Sequence, residues 1–303
     1  MKKEKIRRTL VGWQGIVAEV PCDWSLASIG GDGKSGYFRV DSPHSLSLEV
    51  KWFTGSSERI DVRRRLEEFL KDLGRKARKR KVNFEYKIKS KEDGTISFTW
   101  QADRKAVGKL TRCDRCKRIL IAQVSGLSSD NVSGVASQIL PSLMDHSEDG
   151  WQTWAVYDLI AEVPPDYRLE KHQLMAGYIR LNFRKGVNRL TIERWGLADV
   201  ALRKCTFTEW YADRVRYDFR PFRYSMQEVD FDGESAIEVT GRRHGLKEIL
   251  RSASELLRGK SPAIFLDACA WVCEESNKIY SVQAIHSRQE KVFDEVVDRV
   301  ECH

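Results

Sequence analysis

Ala18-Glu19-Val20-Pro21-Cys22-Asp23-Trp24-Ser25-Leu26 returns in the second half of the chain as Ala161-Glu162-Val163-Pro164-Pro165-Asp166-Tyr167-Arg168-Leu169. A Gly-aromatic-x-Arg step follows each copy: Gly36-Tyr37-Phe38-Arg39, then Gly177-Tyr178-Ile179-Arg180. Near the end of each half, the run from Cys113 to Gln123 (Cys113-x-x-Cys116-x-x-Ile119) is echoed without a gap by the run from Cys273 to Gln283 (Cys273-x-x-Ser276-x-x-Ile279). The repeat reads as a duplication, and it predicts two tandem domains of one fold.

The chain has 303 residues, enough for two domains of about 150 residues each. Its hydrophobic content of 41% is that of a globular protein. No apolar run approaches the ~20 residues of a membrane helix. Met1–Arg8 is charged and lacks the apolar core of a signal peptide, and the seven cysteines show no disulfide spacing. A cytoplasmic protein with no membrane partner is the expectation. The net charge of +8 is unevenly divided. Residues 1–148 carry 29 Lys and Arg against 19 Asp and Glu, whereas the remainder carries 23 against 25. A shared fold does not require one basic copy, so the asymmetry points to an anionic partner of the first half.

Both halves read as α+β. In the first, Gly15–Val20, Gly36–Val40 and Ser45–Phe53 read as strands, the last with Leu46, Leu48, Val50 and Trp52 on one face. A helix is predicted from about Ile60 to Lys81, with Leu66, Leu70, Leu73 and Ala77 on its apolar side. Three strands and a last helix follow. The second half repeats the order, its helix opened by a capping box at Thr206-x-x-Glu209. The turns at Gly94 and Gly233 lie closer in the repeat than Cys113 and Cys273 do, so the second half carries an insertion. It reads as an amphipathic helix around 245–258, with Leu246, Ile249, Leu250, Ala253, Leu256 and Leu257 on one face. The expected domains are a basic module over 9–146 and a second module over 151–303.

This order, with Val20-Pro21-x-x-Trp24 and Val163-Pro164-x-x-Tyr167, resembles the PsbP-like fold. That fold is shared by the photosystem II extrinsic protein PsbP, a Ran-binding nuclear transport factor and various bacterial proteins. The resemblance implies an α/β/α sandwich in each module, an antiparallel sheet covered by helices, and a role in binding or assembly rather than catalysis. No family site motif matches here, so no functional residue is carried over.

Two constellations could carry chemistry. The first is basic: Arg63, Arg64 and Arg65 open it, Arg75, Lys76, Arg78, Lys79, Arg80 and Lys81 close it at the helix C-terminus, and Lys87, Lys89 and Lys91 follow. Such a cluster attracts phosphate backbones or acidic surfaces through counterion release, and it equally suits the negative end of a helix dipole. The second is Cys113-x-x-Cys116, the spacing of half a zinc site, with Cys22, His44 and His146 as completing ligands. Cys269, Cys273, His286, Cys302 and His303 are candidates for a cluster in the other half. No cofactor is expected unless these cysteines hold zinc. The Gly30–Gly36 stretch ends in Gly33-Lys34-Ser35 but lacks phosphate-loop spacing and leads into a strand, which makes it a hairpin loop. No nucleophile–base pairing is legible. The sequence therefore leads to a non-enzymatic tandem binding or assembly protein, its basic module on an anionic or macromolecular partner and its second module suited to self-association. The alternatives are a nucleic-acid-binding protein using the 63–81 helix and a zinc-containing module or metal-dependent enzyme.

Overall fold

The fold is that of a computed structural model, which describes residues 7–32, 34–54, 61–91, 94–243, 264–287 and 292–302. It divides into two compact units, Met1–Tyr157 and Asp158–His303. In the first, β1 (Arg8–Trp13) and β2 (Ile16–Pro21) form a hairpin, and β1 also pairs with β10 (Gln152–Val156). Trp13 and Trp154 meet edge to face there, 4.8 Å between ring centroids, and both are fully buried. The main sheet has seven antiparallel strands. β3 (Ser25–Gly31), β4 (Ser35–Asp41) and β5 (Ser47–Thr54) form one meander. β6 (Glu85–Ser90), β7 (Ile96–Gln101), β8 (Arg104–Arg112) and β9 (Arg118–Leu127) form another. Pairing of β5 with β9 joins them in the order β3-β4-β5-β9-β8-β7-β6.

Between the meanders runs α1 (Val62–Lys79), its N-terminus capped by the Asp61 carboxylate, which accepts from the Arg64 amide at 3.1 Å. Leu66 and Leu70 dock it on Ile96, Phe98, Leu110, Ile119 and Ile121, all buried. The remaining face of this helix is charged. A shorter helix, α2 (Val132–Ile139), is capped by Asn131 and continues into a 3-10 turn, Leu140–Ser142. Along β9 every residue from Ile119 to Gly126 is buried, because this central strand is covered on both faces.

The second unit repeats the topology. β12 (Arg168–Met175), β13 (Tyr178–Lys185) and β14 (Asn188–Gly196) precede α3 (Ala198–Ala201) and α4 (Phe207–Phe219). β15 (Phe222–Phe231), β16 (Glu234–Arg243), β17 (Phe265–Cys273) and β18 (Lys278–His286) follow. The order β12-β13-β14-β18-β17-β16-β15 matches the first sheet strand for strand. Thr206 and Glu209 form the reciprocal capping box of α4. Its Trp210, Tyr211, Val215 and Phe219 pack on Ile237, Val239, Leu266, Ala268, Ala270 and Ile279. β11 (Leu159–Val163) pairs with β19 (Val300–Glu301), and α5 (Val292–Val297) lies just before β19 in the chain. The helix expected around 245–258 lies outside the described residues; it falls between β16 and β17, whose ends pair at Arg242 and Phe265.

The α+β expectation, and with it the PsbP-like α/β/α sandwich, is corrected by this architecture. The described residues hold nineteen strands and five α-helices, two of which span only four and six residues. The fold is mostly β. The strands that sequence reading left out explain the error. β3 and β12 are edge strands: β12 reads Arg-Leu-Glu-Lys-His-Gln-Leu-Met and is mostly exposed. β8 carries Arg104, Lys105, Lys109 and Arg112. β17 is buried without a break from Ala268 to Trp271 and shows no alternation there. β12 and β17 lack the period-two signature on which a strand is recognised, and in β8 the inward phase is Ala106, Gly108 and Leu110, whose small residues announce it weakly.

The repeated Gly-aromatic-x-Arg step has unequal reasons in the two units. Gly36 faces Trp52 across the β4–β5 ladder, and a Cβ there would lie 2.4 Å from the buried indole. At Gly177 a Cβ would meet nothing within 4 Å. Gly36→Val is therefore expected to cost about 1–3 kcal/mol by overpacking, while Gly177→Ala stays within about 0.5 kcal/mol. Urea unfolding of the two variants checks this, and equal effects would refute the packing role of Gly36.

Candidate functional site

The basic run of the sequence is divided by the structure into bound and unbound charges. Arg63 pairs with Glu67 at 3.4 Å, and Arg64 and Arg65 pair with Glu68 at 3.3 Å. Arg65 also lies over the Phe53 ring at 5.6 Å. Arg75 pairs with Asp72, and Arg80 with Asp103 at 2.5 Å. Such exposed pairs add little stability, but they absorb charge. Lys71, Lys76, Arg78, Lys79 and Lys81 make no ion pair among the described residues. Lys76, Arg78 and Lys79 occupy the last turn of α1, where the carbonyl ends favour cations.

Lys71, Arg75 and Arg78 fall at i, i+4 and i+7, so they share one side of α1. That side borders a groove of about 680 Å³ between α1 and the start of β6, lined also by Phe84, Tyr86 and the acidic Glu68 and Asp72. Gly74, which sequence reasoning treats only as a weak point of the helix, has a use here. A Cβ at that position would come within 3.1 Å of the Phe84 ring, so glycine lets the ring lie against the helix. Phe84 lies tilted against Tyr86 and Trp100, with centroids 6.1 and 5.9 Å away. β6 is the last strand of its sheet and pairs only with β7, leaving one row of backbone donors and acceptors free among the described residues.

The cysteine pair lies at the turn between β8 and β9. The Cys113 amide donates to the Arg118 carbonyl at 2.9 Å, and the Lys117 amide to the Cys113 carbonyl at 3.0 Å, with Lys117 left-handed at φ 60°. The turn points both thiols toward the segment after α2. There the Cys113 sulfur lies 3.2 Å from His146 Nε2, and the Cys116 thiol donates to Asp145 Oδ2 at 2.7 Å. The four donor atoms lie within 4.8 Å of one another, and all four residues are half-buried. Burial, then the Asp145 hydrogen bond, pushes the Cys116 thiol up to about 12. Of the completing ligands named from sequence, the structure brings in His146; Asp145 had no sequence signal. Cys22 is exposed and neither it nor His44 joins the group. In the second unit, Cys273 approaches the Cys302 carbonyl at 3.9 Å, Cys269 is buried in the sheet, and His286 bonds Asp267 at 2.7 Å. His303 lies outside the described residues.

No protein-family model matches this sequence, and no curated protein does. Solved structures do. The apo form of the immunity protein TplEi of the T6SS from Pseudomonas aeruginosa is similar over 97% of this chain and 96% of its own, at 7% identity and a TM-score of 0.36. The same protein complexed with "L" peptide is similar over 99% of each chain, at 9% identity and a TM-score of 0.33. A structure from Bacteroides thetaiotaomicron is similar over 49% of this chain and 50% of its own, at 12% identity and a TM-score of 0.25. The resemblance to the PsbP-like family is withdrawn together with the α/β/α sandwich it implied, because the described residues are mostly β. Overlaps this loose leave function to be argued from the chain itself. No helix among the described residues is long and apolar enough to cross a membrane.

One polar arrangement escaped sequence reasoning and occurs in both units. In the second, the Glu193 carboxylate of β14 is buried at 3% exposure. It accepts from the Tyr178 hydroxyl and from Gln283 Nε2 at 2.6 Å, with the Arg180 guanidinium 3.7 Å away. Arg180 also reaches Asp218 of α4 at 2.8 Å. Burial pushes the Glu193 carboxyl above the ordinary carboxylate range, the shared guanidinium only partly opposing it. Burial also works against the Arg180 charge, but Glu193 and Asp218 more than offset it and keep its pKa above the usual arginine value. In the first unit, Gln123 donates to Glu49 at 3.0 Å, and Arg39 stands 3.9 Å from the same carboxylate. Arg39/Arg180 and Gln123/Gln283 were visible as repeated letters. The glutamates were not, because Glu49 and Glu193 sit on strand phases that alternation assigns to solvent.

Proposed function

We propose that this chain is a non-enzymatic binding protein whose first unit takes an acidic, extended segment of a partner protein in the groove between α1 and β6. The observation that supports the reading is the coincidence of three features at one place. Lys71 and Arg78, which make no ion pair among the described residues, border the groove beside Glu68 and Asp72; Phe84 and Tyr86 give it an aromatic lining; and β6, which has one strand partner among the described residues, contributes Tyr86 to it. Strand addition to a sheet edge supplies backbone hydrogen bonds, while the flanking groove and charges supply selectivity. Lys87 and Lys89 on β6 extend the cationic field along that edge.

The test is direct. A fluorescent polyglutamate peptide is expected to bind the whole chain, more weakly as salt rises. Lys71→Glu with Arg78→Glu is expected to weaken binding by roughly tenfold or more, about 1.4 kcal/mol. Unchanged affinity in that double variant would refute the groove. Tighter, salt-steep binding of a DNA oligonucleotide, lost in the same variant, would replace the protein partner by a nucleic acid.

A further inference from the structure

We infer that Cys113, Cys116, Asp145 and His146 bind a single zinc ion that staples the β8–β9 turn to the segment leading into β10. The four side chains supply two sulfurs, one imidazole nitrogen and one carboxylate oxygen, converging within 4.8 Å. Thiolate, imidazole and carboxylate are each donors that zinc takes, and four protein donors make a closed, structural site rather than one with a position open to substrate.

The atoms that face away from the cluster are held as a metal site needs them. His146 Nδ1 lies 3.1 Å from the Ser147 carbonyl. A proton on Nδ1 satisfies that carbonyl and leaves the Nε2 lone pair directed at the cluster, the outer-sphere contact that orients most ligating histidines. Arg118 reaches both the carboxylate Oδ1 and the carbonyl of Asp145 at 3.4 Å, which leaves Oδ2 facing Cys116. Two thiolates, a carboxylate and Zn²⁺ sum to one negative charge, and the Arg118 guanidinium, only 15% exposed, stands beside it. Binding releases the two thiol protons to solvent and forms two Zn–S, one Zn–N and one Zn–O bond with no change of oxidation state. The corresponding turn of the second unit has Cys273 but Ser276 in place of the second cysteine, so one ion per chain is expected.

Native mass spectrometry of the full, untagged chain, purified with reductant and without chelator, is expected to show one zinc per chain. Cobalt substitution is expected to give thiolate-to-cobalt charge-transfer absorption and the visible bands of a tetrahedral ion. Cys116→Ser and His146→Ala are expected to lose most of that signal, while Cys22→Ser, an exposed cysteine outside the cluster, retains it. Chelation is expected to lower the melting temperature of the wild-type chain and not that of Cys116→Ser. A wild-type chain that stays at its bare mass after reduction and incubation with zinc, without a cobalt–thiolate band, overturns the proposal whether or not the variants fold. So does a Cys113–Cys116 disulfide that persists in reductant, or metal bound equally well by Cys113→Ser/Cys116→Ser.

Discussion

Truncating Leu70 to alanine is expected to destabilise the first unit by about 2–5 kcal/mol and to remove partner binding with it. The size of the effect follows from how little apolar surface holds α1. Of its eighteen residues only Leu66, Leu70 and Ala77 are buried, and the rest of the helix is dominated by charge. Leu70 sits with Leu66 on Phe98, Leu110 and Ile121, in a cluster of closely packed apolar side chains. Loss of that anchor frees the helix that carries Lys71, Arg75 and Arg78, so the groove opens before the sheet does. Leu70→Met, which keeps the volume, is expected to cost less than about 1.5 kcal/mol and to preserve binding. Denaturant unfolding with amide exchange over 62–79 measures both. Full protection of α1 in Leu70→Ala would show that the helix is held elsewhere.

The second large effect is at Glu193. Glu193→Ala leaves the Tyr178 hydroxyl and the Gln283 amide buried without their acceptor, at roughly 1–3 kcal/mol each, and a loss of about 2–4 kcal/mol is expected. Glu193→Gln keeps the shape and an acceptor for Tyr178 without the buried charge, and is expected to remain close to wild type at neutral pH. The pH dependence separates the two contributions. The native pKa of Glu193 lies above its unfolded value, near 4.5, so the folded state holds this proton more tightly. The stability from this group is fully present below the unfolded pKa and is lost as pH rises through the native one. Urea titrations across acid to neutral pH are expected to show this decline in the wild type and its absence in Glu193→Gln. A parallel pair of curves would show that the carboxyl is not protonated more tightly in the native state.

Much of the local structure was legible in particular residues. Leu48, Val50 and Trp52 alternate on β5 and are all buried. Thr206 and Glu209 spell the box that opens α4, and Asp232-Gly233 makes the β15–β16 turn with both residues at positive φ. The Cys113-x-x-Cys116 spacing marked the turn where the two thiols meet Asp145 and His146. What failed was the count of strands. The charge-rich edge strand β12 and the inner strand β17, six of whose nine residues are buried, both lack the alternation that local reading depends on.

By itself the sequence determined that one arrangement is written twice, that its first copy is basic, and which residues share a strand or helix face. Repetition, charge and periodicity are properties of the chain in one dimension. The tertiary structure alone decided which of those faces are covered. Helix α4 lies over the polar phase of β14 and turns Glu193 from a surface letter into a buried carboxylate. Salt bridges along α1 tie Arg63 to Glu67 and both Arg64 and Arg65 to Glu68, whereas Lys71 and Arg78 make no ion pair among the described residues. The chain path after α2 brings Asp145 and His146, some thirty residues downstream, against Cys113 and Cys116. Burial, pairing and ligand convergence depend on distances between residues far apart in sequence, and only the fold sets those distances.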